Sequence, residues 1–151
     1  MIKMSRHVIS KKDYKNLKER VSKYNIDISN LENIEIDNSK KNEIYYFSGK
    51  PIFYNGIPTL YLINYLKVGN KTVTVDDGAV PHIENGSNLF APGIIDMDKT
   101  IKKDEMVFIK NKDNLFIAIG NASDDYDKII ESKKGEAVKI IHYFRDKIME
   151  S

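Results

Sequence analysis

The chain has 151 residues, 24 Lys+Arg against 22 Asp+Glu, three histidines and no cysteine, a length for one domain or two small ones and a composition that excludes disulfides and cysteine-ligated zinc. The net charge of +2 is unevenly spread: residues 1–70 carry 12 basic and 7 acidic side chains (+5), residues 71–151 carry 12 and 15 (−3). A polyanion therefore suits the first half as a whole, and only a local patch of the second.

The opening run Met1-Ile2-Lys3-Met4-Ser5 is too short and too polar for a leader peptide, and no stretch reaches the ~20 apolar residues of a membrane span. The expectation is a soluble, cytoplasmic protein without membrane contact. The sequons Asn85-Gly86-Ser87 and Asn121-Ala122-Ser123 carry no weight in such a protein.

Val8-Ile9 ends a first strand. Ser10 then reads as a helix N-cap, with Asp13 at the capping-box position. Tyr14, Leu17, Val21 and Tyr24 follow as one apolar stripe on a helix of about four turns. Lys11, Lys12, Lys15 and Lys18 occupy its other faces, either as a solvated surface or as a phosphate-facing one. Leu31 to Asp37 alternates apolar and acidic residues like a half-buried strand. Ile44–Phe47 and Ile52–Tyr54 form a hairpin around Ser48-Gly49-Lys50-Pro51, which lacks the second glycine of a phosphate-binding P-loop. Pro58 suits the first turn of a helix that runs through Leu60, Leu62, Ile63 and Leu66 to a stop near Gly69. Asn70-Lys71 is the expected junction, giving domains at 1–70 and 71–151.

Beyond it, β signals dominate. Thr72–Val75 is a strand. Ala79–Glu84 is a short helix limited by Pro81, and Gly86 is placed to end it in the left-handed conformation. Met106–Ile109 and Leu115–Ile119 flank the turn Asn111-Lys112-Asp113-Asn114. Asp124–Ile130 is a helical turn capped by Ser123, Ala137–Phe144 a last strand, and Arg145–Met149 a short terminal helix. Many short strands with regular turns point to a small barrel or a sandwich.

No catalytic pattern emerges. His82, Ser87 and Asp77 lie close in sequence, but Ser87 sits on no nucleophile elbow. Asp96-x-Asp98 and Asp124-Asp125-x-Asp127 lack the glycine and distal glutamate of a calcium loop. His7, His82 and His142 match no ligand spacing. The expectation is a protein without catalysis, metal or cofactor.

Asp76-Asp77-Gly78-Ala79, Asn85-Gly86 and Ala91-Pro92-Gly93-Ile94 together resemble the opening half of a PUA domain, an RNA-binding module. Ala118-Ile119-Gly120, Lys134-Gly135-Glu136-Ala137-Val138, His142-Tyr143 and Asp146 resemble its closing half, so the likeness runs from Lys71 to about Ile148. The first half, with its basic helix, hairpin and Ile57-Pro58-Thr59-Leu60, is similar to the N-terminal domain of the malignant-T-cell-amplified-sequence family, which acts in translation initiation and re-initiation on the small ribosomal subunit; archaeal proteins share this two-domain shape. Two places depart: Lys103-Asp104 stands where the family often has Gly-Asp, and Asp146-Lys147-Ile148-Met149 where it often ends Asp-x-Leu-Trp.

The resemblance implies an α+β chain, with an N-terminal α/β domain containing a small antiparallel sheet and a C-terminal PUA-like β pseudo-barrel. It also implies an RNA surface built from the short helix, its exit loop and the last strand. Gly78, Gly86 and Gly93 would admit a close backbone. Ser87 and Asn88 would bond sugar or base edges, and Phe90 is either a stacking platform or a core plug. Lys71, His82, Ala91 and Pro92 complete that face. Strand alternation places Lys139, Ile141 and Tyr143 on one side, with Arg145 near them as a basic and aromatic edge, and Val138, Ile140 and His142 on the other, as core. The expected partner is RNA, either tRNA or ribosomal RNA, with the small ribosomal subunit or a translation factor. Two alternatives stay open: an accessory subunit that targets a tRNA-modifying enzyme (transglycosylase or pseudouridine synthase), and a protein-interaction module using Tyr45, Tyr46, Tyr54 and Tyr61.

Overall fold

The computed structural model of the chain describes residues 6–37 and 41–150; Met1–Ser5, considered above for a leader, lie outside them. These residues divide into two compact units, one up to Val68 and one from Gly69.

In the first unit, β1 (Arg6–Val8), β2 (Glu35–Asp37), β3 (Ile44–Phe47), β4 (Lys50–Tyr54) and β5 (Ile57–Pro58) form one antiparallel sheet in sequential order. Between β1 and β2 runs the helix α1 (Lys11–Ser22), and Ser10 accepts the Asp13 amide at 3.1 Å as its cap. Leu17 and Val21 on its stripe are buried, and the Tyr14 hydroxyl donates to the Ile28 carbonyl at 2.8 Å. The β3–β4 turn uses Ser48 and Gly49, both with positive φ, as a two-residue hairpin requires. The second helix, α2 (Leu60–Leu66), begins later than Pro58 suggests. Pro58 belongs to β5, and Thr59 is the cap: its buried hydroxyl accepts the Leu62 amide and donates to the Pro51 carbonyl at 2.6 Å. The helix also stops before Gly69, because Lys67 takes the left-handed C-cap conformation.

In the second unit, β6 (Thr72–Val75), β7 (Leu89–Phe90), β8 (Ile94–Met97), β9 (Met106–Lys110), β10 (Phe116–Ala122) and β11 (Glu136–Tyr143) form a curved, near-barrel sheet in the order β7-β11-β10-β9-β6-β8. Only the β6–β9 pairing is parallel. Register slips at Ile117, Ala137, Ile141 and Ile95 each place one extra residue in a strand, which bends the sheet toward closure. The core inside it is aliphatic, built from Val73, Val75, Leu89, Val107, Ile109, Ile117, Ala118 and Val138. The short helix α3 (Val80–Glu84) lies against β10 and β11. The last helix, α4 (Tyr126–Ser132), has Asp125 rather than Ser123 at its N-cap position, with no side-chain cap bond, and the Ser123 amide instead donates to the Ala137 carbonyl. Lys103-Asp104 needs no glycine, since the left-handed residue of that turn is Asp104 (φ 69°). A 3-10 turn over Lys147–Glu150 stands where a terminal helix was expected.

One contact sets the register of the last two strands. A Cβ built on Gly120 would lie 2.5 Å from both the Lys139 carbonyl oxygen and Val138 Cγ1. Gly120→Ala should therefore lose roughly 1–3 kcal/mol or more in urea denaturation. Gly69→Ala, where a Cβ meets nothing within 4 Å, should stay near the parent; equal midpoints for the two variants would contradict this packing.

Candidate functional site

Residues after β6 are tied down before α3 begins. Asp76 donates its amide to the Gly93 carbonyl at 2.9 Å and accepts the Ala79 amide on Oδ1 at 2.9 Å. A Cβ on Gly93 would approach Ala79 Cβ at 3.1 Å, so the Ala91–Gly93 3-10 turn and the start of α3 pack almost backbone to backbone. Pro81 occupies the first turn of α3 without losing a bond. At the other end Gly86 (φ +97°) and Ser87 donate their amides to the Ile83 and His82 carbonyls. The exit loop then crosses the ring of Tyr143: a Cβ on Gly86 would meet three ring atoms at 2.8–3.2 Å. Glycine is needed there for both conformation and space.

From that loop the chain enters β7, and Asn88 binds it to β11. Its Oδ1 accepts the Ile140 amide at 2.9 Å, and its Nδ2 donates to Glu136 Oε2 at 3.0 Å. Ala91 donates its amide to the Gly135 carbonyl at 2.9 Å. The result is an open pocket of about 280 Å³ lined by Ala79, His82, Ile83, Ser87, Asn88, Leu89, Phe90 and Gly93. Its floor is apolar, and His82, Ser87 and Phe90 stand exposed at its rim. Phe90 is 54% exposed while its neighbour Leu89 is 1% exposed. The core plug is therefore Leu89, and Phe90 offers its ring to solvent.

Of the candidate residues, His82, Ser87, Asn88, Phe90 and Gly93 line this pocket, Gly86 holds its exit loop, and Ala91 and Pro92 form the adjoining turn. Gly78 precedes α3, exposed and without positive φ, so no backbone strain requires a glycine there. Asn88 has its amide committed to Glu136 and Ile140, and acts first as a brace. Lys139 is exposed, but the extra residue Ile141 breaks the alternation that would set Tyr143 beside it. Tyr143 instead packs under Gly86 against the core. Arg145 donates its amide to the Glu84 carbonyl at 3.2 Å, at the end of α3. Lys71 does not join the pocket: it immediately precedes β6, at the far end of that strand from α3, and its Nζ bonds Glu105 Oε1 and Thr100. In the first unit, Lys11, Lys12 and Lys15 are exposed and Lys18 is half-buried. Sequence reasoning missed Ala79, Ile83 and Leu89 as pocket walls; Lys133 and Lys134 are exposed just before the Gly135 whose carbonyl accepts the Ala91 amide. Among the described residues no group of His, Asp and Glu is arranged to hold a metal, and no helix is long and apolar enough to cross a membrane.

His142 is fully buried below this face, with Nδ1 2.6 Å from Asp146 Oδ2. Asp146 also accepts the amides of Tyr143, Ile148 and Met149. Burial alone would push its carboxyl up, but the His142 contact and the backbone amides outweigh it and hold the group below the usual carboxylate value. That cluster fixes the end of β11 and with it the Tyr143 ring.

A PUA domain model matches residues 71–144, and a model of a domain of unknown function (DUF1947) matches residues 5–66. An uncharacterized protein of Methanocaldococcus jannaschii is 34% identical over 152 residues, covering 95% of this chain and 94% of that one. The structure of a conserved PUA domain protein from Thermoplasma acidophilum superposes with a TM-score of 0.90 at 43% identity, covering 97% of this chain and 98% of the other. Translation machinery-associated protein 20 of Saccharomyces cerevisiae is 28% identical over 118 residues, which span 70% of this chain and 65% of the yeast protein.

A carboxyl held low in the folded state stabilises above its unfolded value, about 3.9, and gives that up as pH falls through the lower folded value. Asp146→Asn should therefore cost about 1–3 kcal/mol at neutral pH and flatten the loss of stability below about pH 4. Denaturation midpoints that track the parent at every pH would show that Asp146 does not hold this end of the sheet.

Proposed function

This chain belongs to the two-domain archaeal type in which a DUF1947 domain precedes a PUA domain, akin to the malignant-T-cell-amplified-sequence family, and we propose that it is a non-catalytic RNA-binding protein of translation initiation or re-initiation. Its PUA unit holds an unpaired segment of tRNA or of small-subunit ribosomal RNA. The observation that carries this reading is the 280 Å³ pocket between α3, the exit loop and β7. Its apolar floor is wide enough for one base, the exposed Phe90 ring gives a stacking surface at its rim, and His82 and Ser87 provide polar groups for a base or sugar edge. Lys139, Arg145, Lys133 and Lys134 supply positive charge around a unit that is otherwise net acidic. The likeness to a translation-associated yeast protein supports the placement in translation.

Filter binding to tRNA and to purified small subunits, each over a range of salt, tests it. Phe90→Ala should weaken binding about 5- to 150-fold, the worth of one stacked base. Lys139→Gln with Arg145→Gln should lower the salt slope by about 1.4, at ~0.7 for each single-strand phosphate. No binding at low salt, or binding indifferent to all three changes, overturns the proposal. Copurification with a transglycosylase or pseudouridine synthase in place of ribosomal particles would move the protein from translation to RNA modification.

A further inference from the structure

The first unit carries an aromatic and basic patch that the pocket does not explain. Tyr61 and Tyr65 are four residues apart on α2 and share one face of it. Phe47 and Lys50 face each other across the β3–β4 hairpin. The two pairs meet: the Phe47 and Tyr65 ring centres are 5.5 Å apart at 58°, and Lys50 Nζ lies 4.9 Å from the centre of the Tyr61 ring. Tyr65 is 62% exposed, more than Phe90. Tyr45 and Tyr46, two of the tyrosines expected to form a partner surface, are in the core at 6% and 0%.

The charge along the elements that carry the patch has one sign. From Ile44 to Val75 the sequence contains no aspartate or glutamate, and its charged side chains are Lys50, Lys67 and Lys71. Lys50 is exposed in the hairpin, and Lys67 is exposed at the C-cap of α2, two residues after Tyr65. A π face beside the Lys50 ammonium, with no carboxylate on the same elements, complements a base and its phosphates.

We propose that this patch is a second RNA contact, in which Tyr65 stacks an unpaired base while Lys50 and Lys67 take the flanking phosphates of a single strand. The inference rests on the RNA-binding reading but concerns a different surface, in a different unit, and can fail without it.

The test uses the full chain and a fluorescein-labelled, non-pairing 12-nucleotide RNA, followed by anisotropy at low salt. Tyr65→Ala should weaken binding about 5- to 150-fold. Tyr65→Trp should restore it, and its indole, the sole one in a chain without tryptophan, should be quenched as RNA is added. Lys50→Gln should reduce the salt slope by about 0.7. If Tyr65→Ala and Lys50→Gln match the parent while Phe90→Ala is weakened, the patch is no RNA contact and the pocket reading stands. If the parent ignores this RNA, tRNA and small subunits alike, both fall. A Tyr65→Ala loss that Tyr65→Trp does not restore, accompanied by a lower melting temperature, marks the ring as packing only and overturns the proposal. Release of a protein partner at unchanged RNA affinity overturns it in favour of protein docking.

Discussion

The C-terminal unit depends on the close approach of β10 and β11 at Gly120. No side chain fits there, because the Lys139 carbonyl and Val138 occupy the space a Cβ would need. At that point β11 takes up one extra residue, Ile141. The slip brings Tyr143 against the core, on the side of Val138, while His142 stays buried and Lys139 exposed. It also delivers Tyr143 to the underside of the α3 exit loop, where only a glycine with positive φ can pass over its ring. The pocket is thus a consequence of strand register, reached through Gly120, Ile141, Tyr143 and Gly86 in turn.

What results is a site that depends more on shape than on charge. Its floor is apolar, its nearest strong dipoles are already satisfied by Asn88 and Asp76, and its cations lie around it. On the proposed reading, such a site suits one unpaired base, read by stacking and edge contacts, with affinity for the polyanion supplied by lysines and arginines outside the pocket. The same logic applies separately to the first unit, where a ring pair and two lysines stand on elements free of acidic residues. In both places an exposed aromatic ring is retained at the cost of water contact, and in both cations lie close by in the chain.

Much of this was legible in the sequence. Ser10 and Asp13 announced α1, Ser48-Gly49 the hairpin, and Gly86 the left-handed end of α3, because each is a local rule with a steric cause. The α+β class and the near-barrel sheet followed from strand spacing together with the PUA-like motifs. His82, Ser87, Asn88, Phe90 and Gly93, five of the candidate residues, line one pocket. The errors arose where distant contacts override local pattern. Alternation along β11 puts Val138, Ile140 and His142 inside and Lys139 outside, as found, but misplaces Tyr143, because a bulge depends on the partner strand. Lys71 was placed with the RNA face, but its amine is taken by Glu105, 34 residues away. Pro58 suggested a helix start, yet the buried Thr59 hydroxyl, reaching Pro51, decides it. Pocket walls such as Ala79 and Leu89 carry no chemical signature and appear only once α3 and β7 face each other.

On the proposed reading, RNA is held at the α3 exit loop and β7. Photo-crosslinking of the full chain to bound RNA, followed by mass mapping of the modified peptides, tests it most directly. Nucleotide adducts should fall within His82–Gly93, with Phe90 foremost, and should be suppressed by unlabelled RNA. Adducts that leave this segment untouched while RNA remains bound elsewhere would contradict it.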